Sequence, residues 1–538
     1  MSHRSRLILA AKLLVGLGIF RLAFRYLLGF PLWGDEAFLS INFLVRDWRG
    51  LWRGLEYGQI APPIFLWVQW IAVQCLGGSE WVLRLFPFLS GVATLILFSK
   101  ACGRLTNRRA ALLATAFLST AFYPMRHAVE AKPYAVELLV SLVFSILGWR
   151  VWIEPESDRR RLLLLADLPI GIWASYTAVF PAASVGLLLV WDTARAPSRR
   201  RIFFLAAYSI VLLTSWVALI KLFAAAQTLE AGWLGDLTTW RAAFPPWDQL
   251  ELVPVWLLTV HAGNALAYPY GGNNFGSTAT LLLVVAGAVD LWRRPRYRPL
   301  LLLLLGPIPV ALVAAALHRY PYGTSARTML YLAPAVCFLA GVGTASIIRR
   351  VECWWPVVNL KPRRLTPFAL AGAMALIPLI GLTIDLAMPW KGRDEVVIRR
   401  MVNELAAASR PGDRWILFNG ATPPPRLRDL MIRDWMQQVA EIRYYVQWLA
   451  PVPVYWAPDP DVSWPEISGR TWFIVHKHDY EGYPADRPPL YRERFARLWG
   501  KPTRKVYSLG VGTETVEVEC YESATLAALA RRRAGVSD

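Results

Sequence analysis

Trp33-Gly34-Asp35-Glu36-Ala37-Phe38 follows almost directly on the apolar run Leu7 to Phe30, and that junction decides the fold. The run is long enough to cross a bilayer, whose hydrocarbon core of about 30 Å takes roughly 20 helical residues. Its start, Met1-Ser-His-Arg-Ser-Arg6, is basic and no small-residue cleavage pattern follows, so the segment reads as an anchor that stays. Two adjacent carboxylates then stand at a membrane boundary, with Arg21 and Arg25 just upstream in otherwise apolar sequence. Proton-accepting acids and phosphate-compatible cations therefore crowd one end of one helix.

The same alternation of apolar runs and charge recurs outward from that point. The 538 residues are 55% hydrophobic and 18% charged, too apolar for a string of soluble domains and ordinary for a polytopic membrane protein. A net charge of +20 would suit nucleic acid if it were gathered on one tail or face. The cations instead form short clusters between apolar runs, which excludes nucleic acid as a partner and reads as membrane topology. Cys75, Cys102, Cys337, Cys353 and Cys520 are scattered without a C-x-x-C pair, so neither a disulfide framework nor a zinc site is indicated.

Apolar runs long enough to be spans cover 7–29, 83–101, 110–123, 134–152, 162–177, 179–191, 203–223, 276–292, 299–317, 329–348 and 366–387. The fifth and sixth are short and nearly continuous, a tight hairpin or one irregular pair. Every second linker is basic: Lys100 to Arg109, Arg150 to Arg161, Arg195 to Arg201, Arg293 to Arg298 and Arg349 to Arg364. Because Lys and Arg accumulate in loops that stay in the cytoplasm, the N-terminus is expected there. Linkers 31–82, 124–133, 224–275 and 318–328, and everything after about Pro389, are then expected outside. The expected architecture is a polytopic α-helical membrane domain of about 11 helices, residues 1–388, followed by an extracytoplasmic α/β domain, residues 389–538. In the second domain Glu395 to Ala408 has helical period, Trp415 to Gly420 and Thr471 to Val475 read as strands, Val506 to Tyr521 suggests a hairpin, and Pro423 to Pro425 punctuates a loop. A cap without chemistry of its own is the plain reading of that domain.

The outer loops are where chemistry is expected. In the first, 31–82, Ile41 to Leu55 interleaves apolar residues with Arg46, Asp47, Arg49 and Arg53 as an interfacial helix would, and Ile64 to Cys75 reads as a second one beyond Gln59-Ile-Ala-Pro-Pro63. The next acidic loop is Pro124-Met-Arg-His-Ala-Val-Glu-Ala-Lys-Pro-Tyr134, with Pro133 at the mouth of a helix. A late loop reads His318-Arg-Tyr-Pro-Tyr-Gly-Thr-Ser-Ala-Arg327. Three separate loops thus bring Asp35, Glu36 and Glu130, with Arg126, Lys132, Arg319 and Arg327, to one membrane face. Sugar transfer from a lipid phosphate needs such a set: cations steady the departing phosphate, and a carboxylate takes the proton of a poorly nucleophilic hydroxyl.

An apolar span, Trp33-Gly-Asp-Glu36, Pro62-Pro63 and then Glu130-Ala-Lys-Pro-Tyr134, in that order, resembles the GT-C superfamily of polyprenyl-phosphate-dependent glycosyltransferases. The likeness is to relatives of protein O-mannosyltransferase and of the lipid A aminoarabinose transferase, over roughly residues 7 to 387. It implies a multi-span fold, a polyprenyl-phosphate sugar as donor, a glycan, lipid or protein acceptor, and inversion at the sugar carbon. Carried over, Asp35 would be the base on the acceptor, with Glu36 supporting it and Glu130 the second-loop acid. Lys132 stands where many relatives carry Arg and would bind phosphate without a bidentate fork. Arg327, Arg126, Tyr322 and Arg25 are further donor-phosphate candidates. No cofactor or resident metal is expected, and the cell inner membrane is the expected location.

Plainer roles stand beside these. Asp35 and Glu36 would equally cap an interfacial helix and pair with Arg46 or Arg49; Glu130 would form an ion pair with Arg126 or Lys132; Arg21 and Arg25 would snorkel to lipid headgroups. His127 and His318 read as lone histidines. A transporter or flippase of lipid-linked sugar is the rival class, as is a non-catalytic relative that only binds one. The charges gather in loops and no Gly/Pro-broken spans repeat between two halves, against what a transporter requires.

Overall fold

Ser2 starts the first helix by accepting the Ser5 N–H through Oγ at 3.1 Å, and the apolar run then holds α1 (His3–Leu27) to its end. The computed structural model describes residues 2–228, 242–269, 271–354, 366–388, 391–418, 430–456, 469–477, 487–509 and 515–522. The chain divides into two units, one of Met1–Gly29 with Arg46–Ala387, the other of Phe30–Val45 with Met388–Asp538.

The first unit is helical. After α1, and with α2 (Gly34–Val45) belonging to the second unit, come α3 (Pro63–Leu76), α4 (Glu80–Leu105), α5 (Arg108–Thr120), α6 (Phe122–His127), α7 (Tyr134–Ile153), α8 (Asp158–Ala174), α9 (Val179–Arg195) and α10 (Arg199–Leu219). Then follow α11 (Val253–Ala262), α12 (Thr278–Trp292), α13 (Arg298–Leu305), α14 (Pro307–Ala316), α15 (Ala333–Trp354) and α16 (Thr366–Ala387). Among the described residues eight helices are long and apolar enough to cross a membrane. Each of the eleven expected runs falls on helical structure, with 299–317 divided between α13 and α14 and 329–348 between the 3₁₀ segment Ala326–Leu332 and α15; those at 110–123, 162–177 and 276–292 fall on helices of 13, 17 and 15 residues. The pair at 162–191 resolves into α8 and α9 around the 3₁₀ turn Tyr176–Ala178.

Small residues bring these helices close, as expected where lipid supplies no hydrophobic drive to associate. A Cβ on Gly287 of α12 would stand 2.1 Å from the Leu339 carbonyl of α15, and one on Gly343 would stand 2.0 Å from the Leu283 carbonyl. Backbone therefore packs directly on backbone. The interfacial helix expected at 41–55 is shorter and earlier. Helix α2 ends at Val45, because Asp47 Oδ1 accepts the Gly50 N–H at 2.6 Å and the chain turns into the 3₁₀ segment Gly50–Trp52. The second expected interfacial helix is α3, opened by Pro63 at its first position.

The second unit is α/β. Helices α17 (Asp394–Ala408), α18 (Leu430–Leu449) and α19 (Arg487–Trp499) accompany strands β1 (Arg414–Phe418), β2 (Val454–Trp456), β3 (Thr471–Lys477), β4 (Thr503–Ser508) and β5 (Thr515–Tyr521). Sheet order is β2-β1-β3-β5-β4, parallel across β2, β1 and β3 and antiparallel across β3, β5 and β4. The two strands and the hairpin read from sequence are thus β1, β3 and β4–β5, while Asn419, Gly420 and Pro423 to Pro425 lie outside the described residues. Ile416, Phe418, Phe473 and Val475 bury alternate positions against Tyr491 and Phe495 of α19. The sequence reading left residues 31–45 inside the membrane part, whereas in the structure α2 packs on α18.

Candidate functional site

In the first unit the site is built on the loop between α6 and α7. Glu130 is fully buried, and its Oε2 lies 2.8 Å from His127 Nδ1. The ring of His127 is itself held, stacked on Tyr123 and edge-on to Tyr134. The histidine that read as solitary is therefore a hydrogen-bond partner of Glu130. Two residues on, the Lys132 N–H donates to the Glu130 carbonyl at 2.7 Å, which folds the loop tightly. Lys132 is 5% exposed, and its ammonium donates to Gln59 Oε1 at 2.7 Å.

Gly91 of α4 lets this loop sit deep. A Cβ there would stand 2.8 Å from the Ala128 methyl and 3.4 Å from Leu22 of α1, so loop, α1 and α4 meet at a point that only hydrogen leaves open. Arg25 projects from α1 into the same region, within electrostatic reach of Glu130, Arg126 and Arg84. It is 8% exposed and ion-paired with Asp385 at the end of α16. Arg21 is 5% exposed and lies along α16, where a Cβ on Gly381 would stand 2.9 Å from its guanidinium. Both arginines thus face the bundle interior, as ionisable residues in spans do, instead of reaching for headgroups. Arg126 lies over the Phe122 ring at 5.7 Å.

Arg327 stands on the 3₁₀ segment Ala326–Leu332, whose backbone is stapled by side chains. Tyr268 donates to the Ala326 carbonyl, Tyr320 to the Thr328 carbonyl, and Ser141 Oγ to the Tyr331 carbonyl at 2.7 Å. Tyr322 is fully buried and its hydroxyl lies 2.8 Å from His261 Nε2. His261 Nδ1 faces the Leu257 carbonyl at 2.8 Å and so carries the proton, which makes Nε2 the acceptor and Tyr322 the donor. Burial raises the Tyr322 phenol above its ordinary value. Its hydroxyl already has a partner within the protein.

Asp35 and Glu36 occupy the first turn of α2 in the second unit, where a helix N-terminus favours negative charge. Asp35 is half-buried; Glu36 is fully buried and turns back to accept the Trp33 N–H at 3.5 Å, capping its own helix. Arg46, a candidate partner for either, is bound to Glu56 at 3.2 Å. The entry into α2 is held by Tyr445, whose hydroxyl accepts the Leu32 N–H at 2.8 Å, by Lys391 over the Trp33 ring at 3.7 Å, and by Glu441, which accepts the Gly34 N–H. Burial raises Glu395 to about 8, opposed by the Gly392 N–H and reinforced by Asp394 and Glu36. Burial, then Glu395 and Asp394, push Glu441 well above the carboxylate range. Among the described residues, no three His, Cys, Asp or Glu side chains converge as metal ligands.

Structure thus brings Glu130, Arg25 and Arg126 together, adds Arg84, Asp385 and His127, and ties Lys132 to Gln59. Asp385 was legible as a carboxylate closing an otherwise apolar span, and Arg84 as a cation four residues into another; neither revealed its partner.

Residues 61–220 match the family model for dolichyl-phosphate-mannose-protein mannosyltransferase. That stretch carries Arg84, Arg126, Glu130 and Lys132, and begins beyond Asp35. No curated protein matches the chain. Among solved structures, the chain resembles ArnT from Cupriavidus metallidurans bound to undecaprenyl phosphate, at 15% identity and a TM-score of 0.52, with 96% of this chain and 98% of that chain covered. The same protein in the apo state aligns at 15% identity and a TM-score of 0.50 over the same shares. The resemblance read from the sequence is borne out, and the fold is that of a GT-C membrane protein with a small C-terminal sheet domain.

Proposed function

We propose that this chain is an integral-membrane glycosyltransferase that moves a sugar from a polyprenyl-phosphate donor to an acceptor hydroxyl on the extracytoplasmic face. The observation that carries the reading is the cationic group of buried Arg25 and Arg84 with half-buried Arg126, which share electrostatic reach with Glu130, in a chain whose ArnT relative in fold was solved with undecaprenyl phosphate. Asp35 takes the acceptor proton as the hydroxyl oxygen attacks the anomeric carbon. The bond from that carbon to the phosphate oxygen breaks, its electron pair leaving with the polyprenyl phosphate, and the sugar carbon inverts. The leaving phosphate gains a negative charge in this step, so fixed cations stabilise the transition state more than the ground state. Lys132 and Arg327 supply such charge, with Arg25 and Arg126 beside Glu130. Glu36, which accepts the Trp33 N–H, holds the first turn of α2 that carries Asp35. Glycan, lipid and protein hydroxyls all satisfy this chemistry as acceptors.

The test is Asp35→Asn in protein inserted in vesicles with lipid-linked sugar donors. Loss of transfer with donor binding retained is expected, since the amide cannot take a proton; unchanged transfer would sink the assignment of the base. Cysteine labelling from each side checks the face: accessibility of the region after Pro389 from the cytoplasm would overturn it.

A further inference from the structure

We infer that the end of the bundle where α8, α9 and α10 meet binds the phosphate headgroup of an anionic phospholipid, with Arg161 as its central contact. Two of the basic linkers read from the sequence, Arg150 to Arg161 and Arg195 to Arg201, fall at this end. Ion pairs draw them together. Arg160 holds Glu154 at 2.6 Å, Arg200 holds Glu156 at 3.1 Å and also Asp158, and Arg201 holds Asp192 at 3.3 Å. The carboxylates at this end are thereby taken. Arg159, Arg161, Arg195 and Arg199 form no ion pair among the described residues, so the cluster keeps positive charge for a further anion.

Arg161 differs from the exposed Arg159, Arg195 and Arg199 in being only 6% exposed. Its guanidinium lies over the Phe204 ring at 5.1 Å, which sets the charge in the seam where α8 packs on α10. Its Nε is buried without a hydrogen-bond partner, and among the described residues no oxygen accepts from its terminal nitrogens. Asp192 is within electrostatic reach but is bound to Arg201. A buried guanidinium that lacks acceptors is costly, and a phosphate supplies oxygens that match its fork. The surroundings select a lipid over a free phosphate ion. Trp152 of α7 and Trp191 of α9 pack ring to ring at 6.3 Å, the kind of aromatic pair that marks a membrane boundary. Immediately after the arginines in the chain, Leu162 and Leu163 of α8 and Ile202 and Phe203 of α10 are exposed. A headgroup phosphate at Arg161 lays its acyl chains on that apolar surface, of which an inorganic anion makes no use. Basic pockets between spans hold anionic headgroups on this principle.

The experiment titrates the full-length protein, in a neutral detergent, with phosphatidylglycerol or with phosphatidylcholine of the same acyl chains, and reads bound lipid by native mass spectrometry. Wild-type protein is expected to prefer phosphatidylglycerol by about tenfold, the scale of a hydrogen bond to a charged group. Arg161→Gln should remove most of that preference, whereas Arg296→Gln, at an exposed arginine of another basic linker, should leave it unchanged. Inorganic phosphate at the same concentration should not displace the bound phosphatidylglycerol. Equal losses in R161Q and R296Q would reduce the effect to net charge and overturn the site. Equal wild-type affinity for the two lipids would overturn it as well, and displacement by inorganic phosphate would overturn the choice of a lipid as the ligand. Should R161Q fail to insert, the double variant Arg195→Gln with Arg199→Gln tests the same cluster from its exposed side. Affinity for phosphatidylglycerol about fivefold or more below wild type is expected there, and unchanged affinity would count against the site.

Discussion

His127 Nδ1 lies 2.8 Å from Glu130 Oε2 in a loop where the carboxylate has no exposure to solvent. A buried carboxylate is costly unless hydrogen-bonded or paired, and a ring clamped between two tyrosines is a rigid partner. The pair fixes the loop that presents Lys132. We expect His127→Ala and Glu130→Gln each to lower transfer by about ten- to a hundredfold, and the double variant to fall no further than the worse single one. A double-mutant cycle on transfer rates checks this, with a coupling of about 0.5–3 kcal/mol expected for groups in contact.

Gly91 predicts a steric result. Gly91→Ala places a methyl 2.8 Å from the Ala128 Cβ, which has no side-chain freedom to retreat, so the Glu130 loop must shift. Overpacking of this kind costs about 1–3 kcal/mol. A lower unfolding midpoint and reduced transfer are expected. Gly103→Ala on the same helix meets nothing within 4 Å and should leave both unchanged or slightly improved.

The stapled segment under Arg327 predicts a binding defect. Tyr268→Phe and Tyr320→Phe each leave a carbonyl, of Ala326 and Thr328, without its hydroxyl donor. The loss costs about 1–3 kcal/mol at the buried Ala326 carbonyl and less at the half-buried Thr328 one. With Arg327 on the loosened turn, the donor KM should rise more than kcat falls, as donor titration would show; equal effects on both would remove Arg327 from the donor site.

Glu395 predicts a pH dependence in the second unit. Its folded value near 8 lies above that of the unfolded chain, so the folded state binds the extra proton and stability falls as pH rises through the window between about 4.5 and 8. The slope is at most about 1.4 kcal/mol per pH unit for one proton. Glu395→Gln keeps an acceptor for the Gly392 N–H at 2.7 Å and removes the titration. Its unfolding midpoint should exceed that of wild type at pH 8.5 and converge with it near pH 5. Parallel curves would show that Glu395 is not the group responsible.

Much of the membrane part was legible because hydropathy is local. A window of about 20 residues either suits the bilayer interior or does not, and no distant contact changes that. The same holds for Pro63 opening a helix, for the alternating strands around Ile416 and Phe473, and for carboxylates at the start of α2. The early end of α2 was less legible, since Asp47 capping Gly50 competes with a helical pattern that the residue types alone still permit.

Partner choice among buried charges is the opposite case. Arg25 finds Asp385 across 360 residues, and Lys132 finds Gln59 across 73, because helices packed through Gly91 and Gly381 bring them together. Sequence by itself determined a chain of many apolar spans, with acids and cations concentrated beside them, and the order of motifs that resembles the GT-C glycosyltransferases. Tertiary structure alone decided that His127 holds Glu130, that Tyr322 gives its hydroxyl to His261, and that the helix carrying Asp35 packs with the C-terminal domain. Burial and hydrogen bonding depend on which distant surfaces meet, and residue order does not state this.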